Sequence, residues 1–170
     1  MTLTSSAFPD GGHLPVKYSQ AGQELSPPLS WTRPADSSVV GYVLMISDLN
    51  AIQGGEGRLQ WLVWNIPANV TSLPEGVPQG PKLANGAQQI SVTGPYYRGP
   101  GAAPTDSTHH IMFELFAVDT IVNVTPAPCL PSDRCQAPSN PGPTRMSVMS
   151  AIEGHIRGKA VMFGLYRHPR

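Results

Sequence analysis

Two histidines stand side by side at 109 and 110, where a Gly- and Pro-rich stretch, GPYYRGPGAAPTDST, gives way to the apolar run IMFELFAV. Adjacent imidazoles first suggest a metal site or a paired base. Strand alternation separates them. If 109–118 is a strand, His109, Ile111, Phe113 and Leu115 share one face, and His110, Met112, Glu114 and Phe116 share the other. Side chains on opposite faces do not grip one ion together, so the pattern points to no metal. One inward imidazole, His109, remains in search of a partner. Asp48 closes the apolar run 38–48 (SVVGYVLMISD), and Gln60 lies near the start of the run 58–66 (RLQWLVWNI). If these runs pair antiparallel through NAIQGGEG, Asp48 and Gln60 meet at one edge of a sheet, where His109 can join them. A carboxylate beside an imidazole favours the protonated ring. Such a pair suits anion capture, or acid–base chemistry where a substrate fits.

The plainer reading stands beside this one. An Asp that ends a strand often only forms a turn, and a His beside a Gly/Pro loop often only anchors it. No G-x-S-x-G, phosphate-binding loop, H-E-x-x-H or dinucleotide fingerprint is present. Pattern alone therefore reaches a β-rich domain with an anion pocket as its candidate site, and no cofactor.

The chain as a whole narrows the classes. Its 170 residues are read as one domain, 1–170, able to bury a hydrophobic core. Eleven basic residues balance eleven acidic ones, and only 13% of residues are charged, which argues against a nucleic-acid partner. The longest apolar runs, such as VGYVLMI at 40–46, fall well short of the roughly 20 residues of a spanning helix. The start, MTLTSSAFPDGG, lacks the charged-then-apolar order of a signal peptide. The expected compartment is the cytoplasm, or an extracytoplasmic one if this is a processed form. Cys129 and Cys135, in PCLPSDRC, have no ligand-spaced His or Cys around them. A small disulfide loop and two inert thiols both remain open.

The elements that must position Asp48 and His109 are legible from punctuation. Nineteen prolines and seventeen glycines break the chain into apolar, β-branched segments, as in an all-β or β-rich domain with long ordered loops. Strands are expected at 14–19, 38–48, 58–66, 89–93, 109–118 and 159–167. Pro27 and Pro28 impose an extended loop before Trp31, a residue read as core or loop anchor. In TRMSVMSAIEGHI, Met149, Ile152 and Ile156 fall on one face of a short helix, with Thr144 as its N-cap. His155 is assigned packing or capping. Glu56 is read as a solvated charge in the Gly-rich turn, with a lean over the pocket as the alternative.

Five stretches in order resemble the phosphatidylethanolamine-binding protein family, above all its short bacterial, Raf-kinase-inhibitor-like branch. They are FPDGGHLPVKYSQAGQELSPPLSW, LMISDLNA, LQWLVWNIPANVTSLPEG, GPYYRGPGAAP…HHIMFELFAVD and AIEGHIRGKAVMFGLY. The resemblance implies a mostly β fold, a β-sandwich of a large antiparallel sheet and a smaller one with a short C-terminal helix. It also implies a cavity at strand ends for phosphate- or carboxylate-like groups, and a homodimer.

Position by position, the family's pocket is only partly kept. Its D-P-D-A-P loop reads Asp48-Leu49-Asn50-Ala51-Ile52, its pocket His is Gln60, and its H-R-Y reads His109-His110-Ile111. The G-x-x-G-P loop is held by Gly94, Tyr96, Gly99 and Pro100, with Gly101 in place of the customary Cys. The implied ligand residues are Asp48, Gln60, Trp61, Tyr96, Gly99, Pro100, His109 and Ile111. Two charge-assisted donors are lost, each worth about 1.5–3 kcal/mol of binding. With Ile111 and Trp61 nearby, the expected ligand is a small, partly apolar molecule. Three functions follow: a binder with altered, less anion-selective selectivity; an acid–base enzyme for a cyclisation, isomerisation or dehydration step in specialised metabolism, with Asp48 and His109 as the couple; and a regulator of a protein partner.

Overall fold

Alternation along the run that begins at residue 41 sets the architecture. Tyr42, Leu44 and Ile46 point to one side of the strand, Val43 and Met45 to the other, and all five are buried. A strand apolar on both faces needs a cover on each. This strand, β4 (Gly41–Gln53), is the interior of a six-stranded sheet in a computed structural model that describes residues 1–103, 105–128 and 140–169. Its partners are β2 (Gly12–His13), β5 (Glu56–Pro67), β7 (Gln88–Ile90), β8 (His109–Val118) and β9 (Ile156–Tyr166), in the order β2-β9-β8-β4-β5-β7. Pairing is antiparallel except between β2 and β9, which run parallel. A three-stranded sheet of β1 (Leu3–Thr4), β3 (Leu29–Trp31) and β6 (Ser72–Leu73) covers one face, where Leu3, Leu29, Trp31 and Leu73 join Tyr42, Leu44 and Ile46. The helix α1 (Pro141–Ile152) covers the other, packing Val148 and Ile152 on Val43, Met45 and Trp64. The expected mostly β sandwich with one late helix is the observed fold.

Two expected elements differ. Residues 14–19 form no strand: Val16–Tyr18 is a single 3₁₀ turn. It is closed by the N–H of Tyr18 to Pro15 O and by the Ser19 hydroxyl to Val16 O, local bonds that compete with a sheet ladder. The helix begins four residues earlier than expected, capped at Asn140 rather than at Thr144. Asn140 Oδ1 accepts from Gly142 N, and Pro141 occupies the first turn, where its missing N–H costs nothing. Thr144 therefore lies inside the helix, where its hydroxyl donates to Asn140 O at 2.7 Å and accepts from Ala127 N at 2.9 Å. The buried face carries Pro141, Thr144, Val148 and Ile152, while Ile156 already starts β9. Cys129 and Cys135 lie outside the described residues.

Candidate ligand cleft

Asp48 is wholly buried, and the local path of β4 explains how a carboxylate is tolerated there. Pairing with β5 runs to Asp48↔Arg58 and resumes only at Ile52↔Gly57. The bulge takes residues 49–51 out of the ladder, and two of their N–H groups turn back on the carboxylate. Oδ1 accepts from Asn50 N at 3.0 Å and Ala51 N at 3.3 Å, an Asx-type turn. On the other side, β8 pairs Ile111 opposite Asp48, which brings His109 within reach diagonally; its Nδ1 lies 2.7 Å from Asp48 Oδ2. Three donors thus offset the desolvation of this side chain. A carboxylate only accepts, so Nδ1 carries the hydrogen and Nε2 is the ring atom left for other work. It lies 3.9 Å from Asp106 Oδ2, beyond hydrogen-bond length.

His110 points the other way, as alternation requires. It is exposed, and both its backbone N–H and its Nδ1 meet Asn50 Oδ1, at 2.7 and 3.2 Å. Asn50 thereby ties the β4–β5 bulge to the start of β8. Among the described residues no group of three or more metal-ligating side chains is present.

A polar cleft of about 720 Å³ opens over His109. Asn50 and Ala51 form one side, Gln20 another, Asp106 and Ser107 the rim, and Tyr166 and His168 the end of β9 and the residues after it. Of the eight residues implied by the sequence, only His109 lines it. Asp48 stands behind His109. Gln60 is buried beside the bulge; with its amide nitrogen turned to the 98–101 loop it donates to Arg98 O at 2.6 Å and Gly99 O at 3.2 Å. Trp61 and Ile111 are fully buried in the core between the sheets. Trp61 Nε1 donates to Gln89 Oε1 at 2.8 Å, and its ring meets Tyr97 edge-on at 5.8 Å. Tyr96 donates its hydroxyl to Thr93 O at 3.1 Å, within its own loop.

Gly99 and Pro100 act through Gln20. Gln20 donates Nε2 to Gly99 O at 2.8 Å and its backbone N–H to Pro100 O at 3.0 Å, while its Oε1 accepts from Arg98 Nη2 at 2.8 Å. Arg98 Nη1 pairs with Glu24 at 2.8 Å. Beneath them the Tyr97 hydroxyl donates to Tyr18 O at 2.9 Å; full burial pushes this phenol up, with Glu24 adding to it, so it stays a donor. The glycine loop is thus latched onto the 3₁₀ turn as one wall of the cleft. Glu56 lies elsewhere, paired with Arg145 at 3.2 Å near the helix.

Sequence reasoning missed Gln20, Asp106, Ser107, Tyr166 and His168. Asp106 had a signal in its i,i+3 spacing to His109. Tyr166 had one only through the register of β8 and β9, which sets it opposite His109.

A six-stranded sheet faced by a three-stranded one, with a polar cleft at its strand ends, defines the fold class. The sequence profile of the phosphatidylethanolamine-binding protein family matches residues 4–167, and the chain belongs to that family. A UPF0098 protein of Methanothermobacter thermautotrophicus is 33% identical over 170 residues, 98% of this chain and 99% of that one. A UPF0098 protein of Chlamydia muridarum is 30% identical over 168 residues, with 98% of each chain covered. Among solved structures, a phosphatidylethanolamine-binding protein homologue from Chlamydia trachomatis superposes with a TM-score of 0.77 at 24% identity, covering 99% of this chain and 97% of that one. YbcL of E. coli superposes with a TM-score of 0.72, also at 24% identity, covering 99% and 98%. These two likenesses concern the fold.

Proposed function

We propose that the chain binds a small polar ligand in the cleft over His109, with Nε2 as the anchoring atom. The Asp48–His109 bond carries this reading, because it commits Nδ1 and fixes the ring with Nε2 as its remaining polar atom. The charge balance of the lining argues against a selective phosphate site. No Lys or Arg is among the described lining residues, and Asp106 stands beside the imidazole. Gln60 adds no donor, since its amide serves two backbone carbonyls. Ile111 and Trp61, the basis for expecting a partly apolar ligand, face the core. The ligand that fits offers an oxygen acceptor to His109 in its protonated form and carries less negative charge than a phosphate.

Calorimetric titration tests this. Inorganic phosphate and phosphoethanolamine should bind no tighter than millimolar; micromolar binding of either would overturn the selectivity. Any ligand bound by the wild type should lose on the order of 10–100-fold in His109→Ala, the worth of a charge-assisted bond of about 1.5–3 kcal/mol.

The same bond supports a second reading, an acid–base enzyme. An imidazole oriented by a buried carboxylate, with Nε2 near a second carboxylate, has the arrangement of a general acid or base. The expected result is turnover by the wild type, with His109→Gln and Asp48→Asn losing rate more than binding. Equal rates in all three would refute the assignment.

A further inference from the structure

We propose that Tyr166 is a further ligand-binding residue of this cleft, its phenol donating to a carbonyl or carboxylate oxygen of the ligand alongside His109. The proposal rests on the cleft's being the ligand site. Three observations carry it.

The first is register. β8 and β9 pair antiparallel with His109 directly opposite Tyr166, and opposed residues in such a ladder project from the same face. The second is location, for Tyr166 and His109 line the same cleft. The third is an unmet bond. Tyr166 is 1% exposed, and its hydroxyl has no hydrogen-bond partner among the described residues. A buried polar atom left unpaired costs about as much as the bond it lacks.

Three other phenols have partners among the described residues. Tyr97 donates to Tyr18 O, Tyr18 to Glu75, and Tyr96 to Thr93 O. Packing alone does not call for the hydroxyl of Tyr166, since phenylalanine fills nearly the same volume. Its extra oxygen is satisfied once an acceptor enters the cleft. A phenol gives one hydrogen, and Nε2 of a protonated His109 gives another. Two donors from one sheet face suit one oxygen that accepts twice, or the two oxygens of one carboxylate. Asp106, at the rim, is placed to take a hydrogen from a hydroxyl or amine on the same ligand.

The experiment uses the full chain, ¹⁵N-labelled, titrated with acetate, acetamide and inorganic phosphate while amide shifts are followed by NMR. Thermal midpoints of the same samples are recorded. Acetate or acetamide should shift the amides of Asn50, Ala51 and His109 in the wild type. Tyr166→Phe should bind at least fivefold more weakly, with a melting temperature equal to or above the wild type's. If His109→Ala weakens binding and Tyr166→Phe does not, the role of Tyr166 fails and the cleft stands. If neither substitution changes a response seen in the wild type, or no probe shifts these amides, the cleft reading fails and takes Tyr166 with it. A melting temperature several degrees lower in Tyr166→Phe would reveal a structural partner for the hydroxyl and would also overturn the proposal.

Discussion

Asp119 shows how one carboxyl can tie stability to acid. It accepts from His155 Nδ1 at 2.8 Å and pairs with Arg157, and the His155 bond foremost holds its carboxyl below the usual range. A group whose folded pKa is depressed stabilises the fold above its unfolded value, about 3.9, and loses that contribution as pH falls through the folded one. Wild type should therefore lose more thermal stability between pH 5 and pH 3 than Asp119→Asn. Parallel melting curves for the two would show that the pair does nothing for the fold. His155 as a local anchor was readable from its place at the helix–strand junction. So was the split between His109 and His110, because alternation needs nothing but the strand itself. Tyr166 was not readable, since its position depends on pairing two strands whose register no local motif fixes. Ile111 was read as near a ligand through the resemblance, since it stands where the family's H-R-Y has its tyrosine; its side chain packs in the core.

The latch between the glycine loop and the 3₁₀ turn, Val16–Tyr18, makes a sharper test at the level of elements. A Cβ on Gly99 would lie 2.6 Å from Tyr18 O and 2.8 Å from Ser19 Cα, both fixed backbone atoms. Gly99→Ala must then push the loop off the turn, at a cost of about 1–3 kcal/mol. Its urea midpoint should fall accordingly, and any ligand affinity with it; an unchanged midpoint would mean the latch is slack. The long strands were visible because their apolar runs are bounded by Gly and Pro, and β8 was expected at 109–118, the span it occupies. The three two-residue strands and the 3₁₀ turn were not, for segments that short owe their state to tertiary hydrogen bonds rather than to any period of their own. The helix was found by its apolar spacing, but its start was misplaced: Thr144 looks like a cap in sequence, whereas Asn140 and Pro141 supply one in fact.

Across the whole molecule, protection should follow the order of the large sheet. β4 is bonded on both edges and covered on both faces, while β7 has a single strand neighbour in β5. Amide exchange should be slowest along 42–47 and 113–117 and faster by orders of magnitude at 88–90. Equal protection at 88–90 would contradict the layering. At this scale the resemblance in sequence was a sound guide to the fold, because the matched stretches run through both sheets. The cavity is a separate matter, because single exchanges such as His to Gln change its chemistry without changing architecture. The bond between Asp48 and His109 also marks time. β4 meets β5 across a short hairpin, but it meets β8 only after the chain has closed a loop of more than fifty residues, a slower and more costly search. Until that closure Asp48 has its turn and no imidazole. The Asp48–His109 pair therefore belongs to the long-range contacts of the fold, complete only once β4 and β8 have met.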